Sequence, residues 1–184
     1  MRKDFGKKTW LYPMPVLIIS TYDKDGNVDV MNAAWGGIYD TNQIMICLDH
    51  NHKTTDNIKE VKAFCVNIAD KYNVDKCDYV GIISLKNDND KIKKSGFTFE
   101  KSKFVNAPII KELKMCLECN MLKFNEDGIL VGDIVNVNID DSVLINDKVD
   151  INKLAPITFD PVNNKYVVLG ENVGDAFKDG MKLK

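Results

Sequence analysis

The chain has 184 residues, of which 45% are hydrophobic and 28% charged, and this composition predicts a single globular domain over residues 1–184. Its 25 basic and 27 acidic residues are intermixed and give a net charge of −2, which argues against a nucleic acid or an anionic membrane as partner. No apolar run approaches the ~20 residues that span a bilayer, so we expect a cytoplasmic protein, and its five irregularly spaced cysteines are expected to be reduced thiols.

The first strand signals form a hairpin that ends in small residues around a tryptophan. Residues 16–22 are apolar and β-rich, a turn follows at 23–26, and residues 28–32 return with alternating polarity. The returning strand runs into Asn32-Ala33-Ala34-Trp35 and two glycines. These small residues would let the backbone approach a flat ligand, with the Asn32 side chain directed at its polar edges. A plain core tryptophan is the alternative from the residues alone.

A candidate phosphate site follows the next strand, which is predicted at 44–48. The sequence His52-Lys53-Thr54-Thr55 stands where a helix is predicted over 54–61, with Thr54 as its N-cap. A lysine, two hydroxyls and the free amides of a helix N-terminus supply the donors that a phosphate needs. The same residues also fit a solvated helix start with an ordinary cap, and the spacing leaves both interpretations open.

The rest of the chain alternates strands with short helices. The predicted elements are a strand at 63–68, helical segments within 71–83 and at 90–94, a long hairpin of 113–124 and 129–140, an edge excursion at 142–156, a strand at 166–169 and a helical segment at 173–178. Gly96 ends the second helical segment. Hairpin-linked strands with inserted helices predict an α+β, mainly β fold centred on a β-barrel.

Other chemistry-bearing patterns are incomplete. Cys116 and Cys119 lie three apart in a predicted strand, so their side chains are expected on opposite faces, which disfavours both a thioredoxin-like pair and a metal site. His50 and His52 could share a face, but two imidazoles make an incomplete metal site and are expected to line the phosphate loop or solvent. No dinucleotide-binding fingerprint, P-loop or nucleophile elbow occurs in the sequence.

A set of short motifs, in order over nearly the whole chain, resembles the flavin reductase-like FMN-binding split-barrel family and, within it, the flavoredoxins. The motifs are LYPMPV at 11–16, TYDKDGN at 21–27, AAWGGI at 33–38, DYVGI at 78–82, DNDK at 88–91, NAPII at 106–110, LEC at 117–119, VGDIV at 131–135 and LGENVGDAF at 169–177. The resemblance implies a split β-barrel of the Greek-key type with short capping helices.

The resemblance also implies a cofactor, its ligands and its partners. The cofactor is FMN, in an oxidoreductase that passes electrons to a protein or small acceptor and is fed by NAD(P)H or a redox protein. We expect a homodimer with the flavin at or near the subunit interface. No side chain is expected to act as acid, base or nucleophile. The cofactor-binding residues implied are Asn32, Ala33, Ala34 and Trp35 at the ring and ribityl chain, His52, Lys53, Thr54 and Thr55 at the phosphate, and Asn67 and Lys91 near the flavin.

Three positions depart from the family pattern. Asn32 stands where relatives often have Thr or Ser, residues 42–44 replace a proline-rich pair, and Asp49 stands where relatives often have Arg. A carboxylate near a phosphate would be repulsive, so we expect the phosphate to depend on Lys53 and the helix amides. The alternatives are a non-catalytic flavin- or haem-binding module on the same barrel, and a cofactor-free interaction protein.

Overall fold

A curled, seven-stranded antiparallel sheet forms the centre of the fold in this computed structural model, which describes residues 1–183. The strands are β1 (Met14–Pro15), β2 (Leu17–Tyr22), β3 (Val28–Ala33), β4 (Gly36–Asp40), β5 (Gln43–Cys47), β6 (Ala63–Ile68), β7 (Phe99–Lys101), β8 (Pro108–Ile110), β9 (Met115–Phe124), β10 (Ile129–Ile139), β11 (Leu144–Ile145), β12 (Lys148–Val149), β13 (Ile157–Asp160) and β14 (Lys165–Val168). The main sheet has the order β3-β2-β6-β9-β10-β5-β4, and β1, β13 and β14 form a smaller sheet beside it. The fold is therefore the mainly-β split barrel that the sequence predicts.

Short helices cover the ends of the barrel. They are α1 (Lys53–Val61), α2 (Val74–Ile82), α3 (Lys91–Ser95) and α4 (Ile151–Leu154), with 3₁₀ turns at Asp141–Val143 and Asp179–Leu183. The predicted helical segments at 54–61, 71–83 and 90–94 are confirmed within a few residues. No helix among residues 1–183 is long and apolar enough to cross a membrane.

Both predicted hairpins are confirmed, and local side-chain chemistry explains each turn. In the β2–β3 turn, the Asp23 carboxylate accepts from the amides of Asp25 and Asn27 at 2.9 and 2.8 Å. In the β9–β10 turn, the Asn125 side chain accepts from the Ile129 amide at 2.7 Å. Gly128 has φ +81°, and a Cβ there would lie 2.5 Å from the Leu48 carbonyl oxygen, so this turn requires glycine.

The central strands are buried on both faces. Along β6, Phe64 and Val66 pack inside the barrel, whereas Ala63 and Cys65 pack beneath the loop of residues 102–107. The same alternation separates Cys116 from Cys119 into these two clusters, which confirms that the two side chains lie on opposite faces. Among residues 1–183 no group of three or more His, Cys, Asp or Glu side chains is placed to hold a metal ion.

Two helix predictions are wrong: the N-cap of α1, and the helical segment at the C-terminal end of the chain. Helix α1 begins at Lys53 and its N-cap is His52, because the Thr54 hydroxyl donates to the Asp29 carboxylate at 2.7 Å and caps nothing. The helical segment predicted at 173–178 is absent, and a 3₁₀ turn follows at Asp179–Leu183 instead. A six-residue exposed segment that contains Gly174 cannot offset the cost of helix nucleation.

Candidate functional site

Three neighbouring cavities that share lining residues lie at one end of the barrel, and we call them together the trough. A polar cavity of about 190 Å³ lies at the start of α1, a central cavity of about 290 Å³ lies beside α2, and an apolar groove of about 550 Å³ lies over β4. Asn32, Gly81 and Ile82 line both the polar and the central cavity. Ala34 lines both the central cavity and the apolar groove. An elongated ligand could therefore lie along all three.

The N-terminus of α1 makes the polar cavity electropositive. The first helical hydrogen bond joins the Asp56 amide to the His52 carbonyl at 3.2 Å, so the three preceding amides have no partner within the helix. Those unpaired amides carry the positive end of the helix dipole. His52, Lys53 and Thr54 line the cavity at this point. An anion would find an ammonium group and backbone donors on the same wall.

A buried ion pair forms the floor of the polar cavity. The Lys91 ammonium lies 3.8 Å from Asp29 Oδ1 and donates to the Val30 carbonyl, and both charged side chains are at most 3% exposed. Burial lowers the pKa of Lys91, and the Asp29 carboxylate opposes that shift. Asp29 also accepts from the Thr54 hydroxyl at 2.7 Å and the Val30 amide at 2.8 Å. This carboxylate therefore connects α1 to the segment carrying Lys91.

The two threonine hydroxyls are already committed as donors. Thr54 gives its hydroxyl proton to Asp29, and Thr55 donates to the Asp49 carbonyl at 2.8 Å. Each hydroxyl has only one proton, so neither is available to donate to a ligand in this arrangement. The donors that this turn still offers are its backbone amides and Lys53.

The last turn of α2 and the loop after it supply site residues to which the sequence gave no role. Gly81 approaches β3 so closely that a Cβ there would lie 2.9 Å from the Asn32 Cβ. Ile83, Ser84 and Leu85 continue along the polar cavity. Their only sequence signal is the DYVGI motif, whose glycine marks this close approach.

A further cation closes the loop against α1. The Lys86 ammonium donates to the Asn51 carbonyl at 2.6 Å and pairs with the Asp56 carboxylate at 3.1 Å. Both side chains are about half exposed, so the pair contributes little to stability. Its consequence for the cavity is positional, because it places a second lysine beside the α1 N-terminus.

The central cavity contains a hydroxyl–carboxylate pair. The Tyr166 hydroxyl donates to Asp78 Oδ1 at 2.7 Å, and the Tyr166 ring lies 6.0 Å from that of Phe159, centroid to centroid. Partial burial raises the pKa of the Tyr166 hydroxyl, and the Asp78 carboxylate raises it further. Asn32 donates to the Cys77 carbonyl at 3.2 Å, and its side chain lies close enough to the Tyr166 hydroxyl to oppose part of this rise in pKa. The cavity thus offers fixed polar groups between two apolar walls.

The apolar groove presents aromatic and aliphatic side chains to solvent. Trp35 is 55% exposed and lies among small residues of the β3–β4 connection. Trp10, Leu11 and Ile38 also line the groove and are exposed. The alternative of a plain core tryptophan does not hold for Trp35.

The structure brings together seven of the ten predicted cofactor-binding residues. Asn32, His52, Lys53, Thr54 and Lys91 line the polar cavity, Asn32 and Ala34 the central cavity, and Ala34 and Trp35 the apolar groove. Ala33, Thr55 and Asn67 line none of the three. Asn67 is fully buried, donating to the Ile18 carbonyl and the Ser20 hydroxyl and accepting from the Ile110 amide, so its amide group is committed to the barrel.

Asp49 and His50 lie outside the polar cavity, which neither of them lines. The Asp49 carboxylate accepts from the Asn51 amide at 2.8 Å, and this hydrogen bond lowers the pKa of the carboxyl group. His50 contacts the Glu126 carbonyl at 2.9 Å and packs edge-on against Phe124. The Asp49 carboxyl group therefore remains ionised and is hydrogen-bonded within its own loop. His50 packs against the β9–β10 hairpin and not against the polar cavity.

Comparison with known proteins identifies the family of the chain. A family model described as a flavin reductase like domain matches residues 9–155. The structure is similar to flavoredoxin of Desulfovibrio vulgaris (Miyazaki F), with a TM-score of 0.93 and 35% identity over 98% of this chain and 100% of that chain. Flavoredoxin from Methanosarcina acetivorans gives a TM-score of 0.90 and 28% identity over the whole of both chains. An uncharacterized protein of Archaeoglobus fulgidus is 31% identical over 78% of this chain and 81% of its own length. The resemblance seen in the sequence is confirmed, and the chain belongs to the flavin reductase-like family.

Proposed function

We propose that the chain is an FMN-binding oxidoreductase that passes electrons through the bound flavin to a protein or small acceptor. The observation that carries this proposal is the trough, which joins a cationic helix N-terminus to an exposed tryptophan among small residues. FMN has the same asymmetry, with a phosphate at one end and a flat aromatic ring at the other.

The polar cavity fits the phosphate. A phosphate group near neutral pH carries close to two negative charges and gains most where an ammonium and several amides converge. Lys53 and the unpaired α1 amides supply those donors. Asp29 is the carboxylate that faces the cavity. Its oxygens are already paired with the Lys91 ammonium and the Thr54 hydroxyl. The negative charge of Asp29 is thereby largely neutralised before a ligand arrives.

The remaining cavities fit the ribityl chain and ring. Gly81 lets the end of α2 pack directly against β3 between the polar and central cavities, since a Cβ there would lie 2.9 Å from the Asn32 Cβ. The Tyr166 hydroxyl, held by Asp78, and the Asn32 amide stand at the middle of the trough, where polar ring edges need partners. Trp35 and Ala34 form an apolar wall that excludes water from a flat ring. Bound flavin would supply the hydride or single-electron chemistry, and the chain positions and tunes it.

The proposal includes the donor and the assembly. NAD(P)H or a reduced redox protein would deliver the electrons, and a nicotinamide nucleotide would have to bind over the flavin because the chain carries no dinucleotide-binding fingerprint. The chain would work as a homodimer, with the exposed apolar groove at or near the subunit interface.

Affinity for FMN compared with riboflavin tests the phosphate assignment. Lys53→Ala should weaken FMN binding by about 10- to 100-fold, because one charge-assisted hydrogen bond is lost. Riboflavin lacks the phosphate, so its affinity should not change. Lys148→Ala removes an exposed lysine of β12 and is the matched control. An unchanged FMN affinity, or an equal loss for both flavins, would contradict the assignment.

The absorption spectrum after FMN addition, gel filtration and anaerobic NADH tests the activity. Retained flavin bands that bleach would support a flavin reductase. Retained bands that bleach only with a reduced redox protein would support an electron carrier. Retained bands that no donor bleaches would indicate a non-catalytic flavin-binding module, and a colourless protein would refute the proposal.

A further inference from the structure

The C-terminal arm, defined as residues 170–183, forms no hydrogen bond with the rest of the subunit. The last hydrogen bond to the body joins the Leu169 amide to the Pro156 carbonyl at 3.4 Å. Beyond it, every hydrogen bond that the structure describes links two arm residues, as in the Lys182–Asp179 pair at 2.7 Å. Each residue of the arm is exposed. The arm therefore forms no hydrogen bond with the barrel of its own subunit and stays exposed along its whole described length.

The arm carries apolar side chains that are exposed to solvent. Phe177 is 101% exposed and Val173 90%, and Met181 and Leu183 are also exposed. Full burial of a phenylalanine side chain is worth about 1.5–3 kcal/mol. Four such residues within 14 positions form an apolar surface that lacks a partner in the subunit.

The whole chain exposes more surface than a compact monomer of its mass. Its accessible surface is 11570 Å², whereas a folded monomer of 20.8 kDa is expected to expose about 8,900 Å². Two subunits together carry an excess of about 5,200 Å², which is comparable with the total of about 2,000–5,000 Å² or more that obligate homodimers bury. Extended segments that pack against a second copy account for an excess of this size.

A receiving surface for the arm is present on the same chain. The apolar groove is lined by Trp10, Leu11, Trp35 and Ile38, all exposed. The N-terminal segment that borders it, residues 1–12, carries four basic residues and one acidic residue. The arm carries three acidic residues against two lysines, one of which is paired to Asp179. The groove and the arm are therefore complementary in both hydrophobicity and charge.

The arm does not use this groove within its own subunit, although it starts beside it. Leu169 shares a small apolar hollow with Pro13 and Pro15, and both prolines also border the groove. From that point the arm leads away, and none of its residues lines the groove. In a closed two-fold dimer, the arm of each subunit can pack into the apolar groove of the other subunit. The arm and the groove are then both buried.

We propose that the arm of each subunit packs into the apolar groove of a second copy of the chain, with Phe177 as its anchor, and so covers the Trp35 end of the trough. The inference rests on the proposed homodimer and adds the segment that completes the site. Each flavin site would then contain residues of both subunits.

Sedimentation equilibrium of the full-length chain tests the anchor. Phe177→Asp should raise the dimer dissociation constant by at least about 100-fold, because the dimer loses two buried phenylalanines. The exposed Phe177 makes no contact within the subunit, so the variant should fold normally. Tyr72→Asp, at an exposed aromatic residue that lines neither surface, should leave the constant unchanged. A variant Phe177→Asp that dimerises as tightly as the wild type would overturn the proposal.

Photo-crosslinking identifies the receiving surface. With p-benzoylphenylalanine in place of Phe177, illumination should give a product of twice the monomer mass, joined to the peptides that contain Trp10 or Trp35. A product of monomer mass joined to the same peptides would show that the arm packs within its own subunit and would overturn the proposal. FMN retention is measured on the same samples. An arm-linked dimer without flavin would refute the proposed FMN binding and leave this inference standing, whereas a flavin-binding monomer would refute this inference and the proposed homodimer and leave FMN binding standing.

Discussion

Replacing Asp29 by asparagine removes the countercharge of a buried lysine and nothing else of comparable size. The Lys91 ammonium lies 3.8 Å from the carboxylate, and both side chains are at most 3% exposed. With an effective dielectric constant of about 20, two unit charges at this distance attract each other by about 4 kcal/mol. Removing one partner of a buried pair typically costs about 3–5 kcal/mol. We therefore expect Asp29→Asn to lower the free energy of unfolding by about 4 kcal/mol.

Urea denaturation of the flavin-free protein measures this loss, and calorimetry should show a decrease in Tm of about 10 °C. Asp25→Asn in the exposed β2–β3 turn is the matched control and should change the free energy of unfolding by less than about 0.5 kcal/mol. The double variant Asp29→Asn/Lys91→Met should recover most of the stability, because it buries no charge. An Asp29→Asn protein within about 1 kcal/mol of the wild type, or a double variant no more stable than the single one, would refute the reasoning.

Two further predictions concern the pH dependence and the packing of the barrel. Because burial lowers the pKa of Lys91 below its ordinary value of about 10.5, the unfolded chain binds more protons than the folded chain just below that pH. The stability of the wild type relative to Lys91→Met should therefore rise as the pH increases toward about 10.5, and a flat or falling difference in urea denaturation would contradict this. A Cβ on Gly132 would lie 2.4 Å from the buried Phe64 ring, so Gly132→Ala should cost about 1–3 kcal/mol in the same assay. Gly37→Ala, in the same sheet with no atom within 4 Å of the new Cβ, should avoid that steric cost, and equal losses for both variants would contradict a steric origin.

The barrel could be predicted from the sequence because its signals are local. The turn residues Asp23 and Asn125 accept hydrogen bonds from amides no more than four residues away. Period-two alternation along β6 and β9 then placed buried side chains on both faces. The prediction failed where a local signal had a stronger tertiary competitor. Thr54 has the chemistry of an N-cap, yet its hydroxyl bonds to a carboxylate 25 residues away.

The site could be predicted only in part, because its contacts join distant segments. Lys91 reaches the Val30 carbonyl across 61 residues, and Tyr166 reaches Asp78 across 88. No periodicity or spacing rule encodes such pairs. The motif resemblance supplied Lys91, but it also suggested Asn67, whose amide the structure uses to hold β2 and β8 together. Gly81 and Lys86 received no role from the sequence, because a single glycine or lysine fits many structural settings and does not by itself indicate a binding site.

The electrostatics of the trough show why net charge gave no indication of an anion site. The chain carries a net charge of −2, which by itself would repel a phosphate. Charges farther than about 8–10 Å are largely screened at ordinary ionic strength, so the local set decides. Within that set, Asp29 is paired with Lys91 and Asp56 with Lys86, and Lys53 interacts only at longer range with the exposed Asp23 carboxylate, which leaves the positive end of α1 without a paired carboxylate. The site is therefore positive because its carboxylates are paired, and only the folded arrangement of residues 29, 56, 86 and 91 creates those pairs.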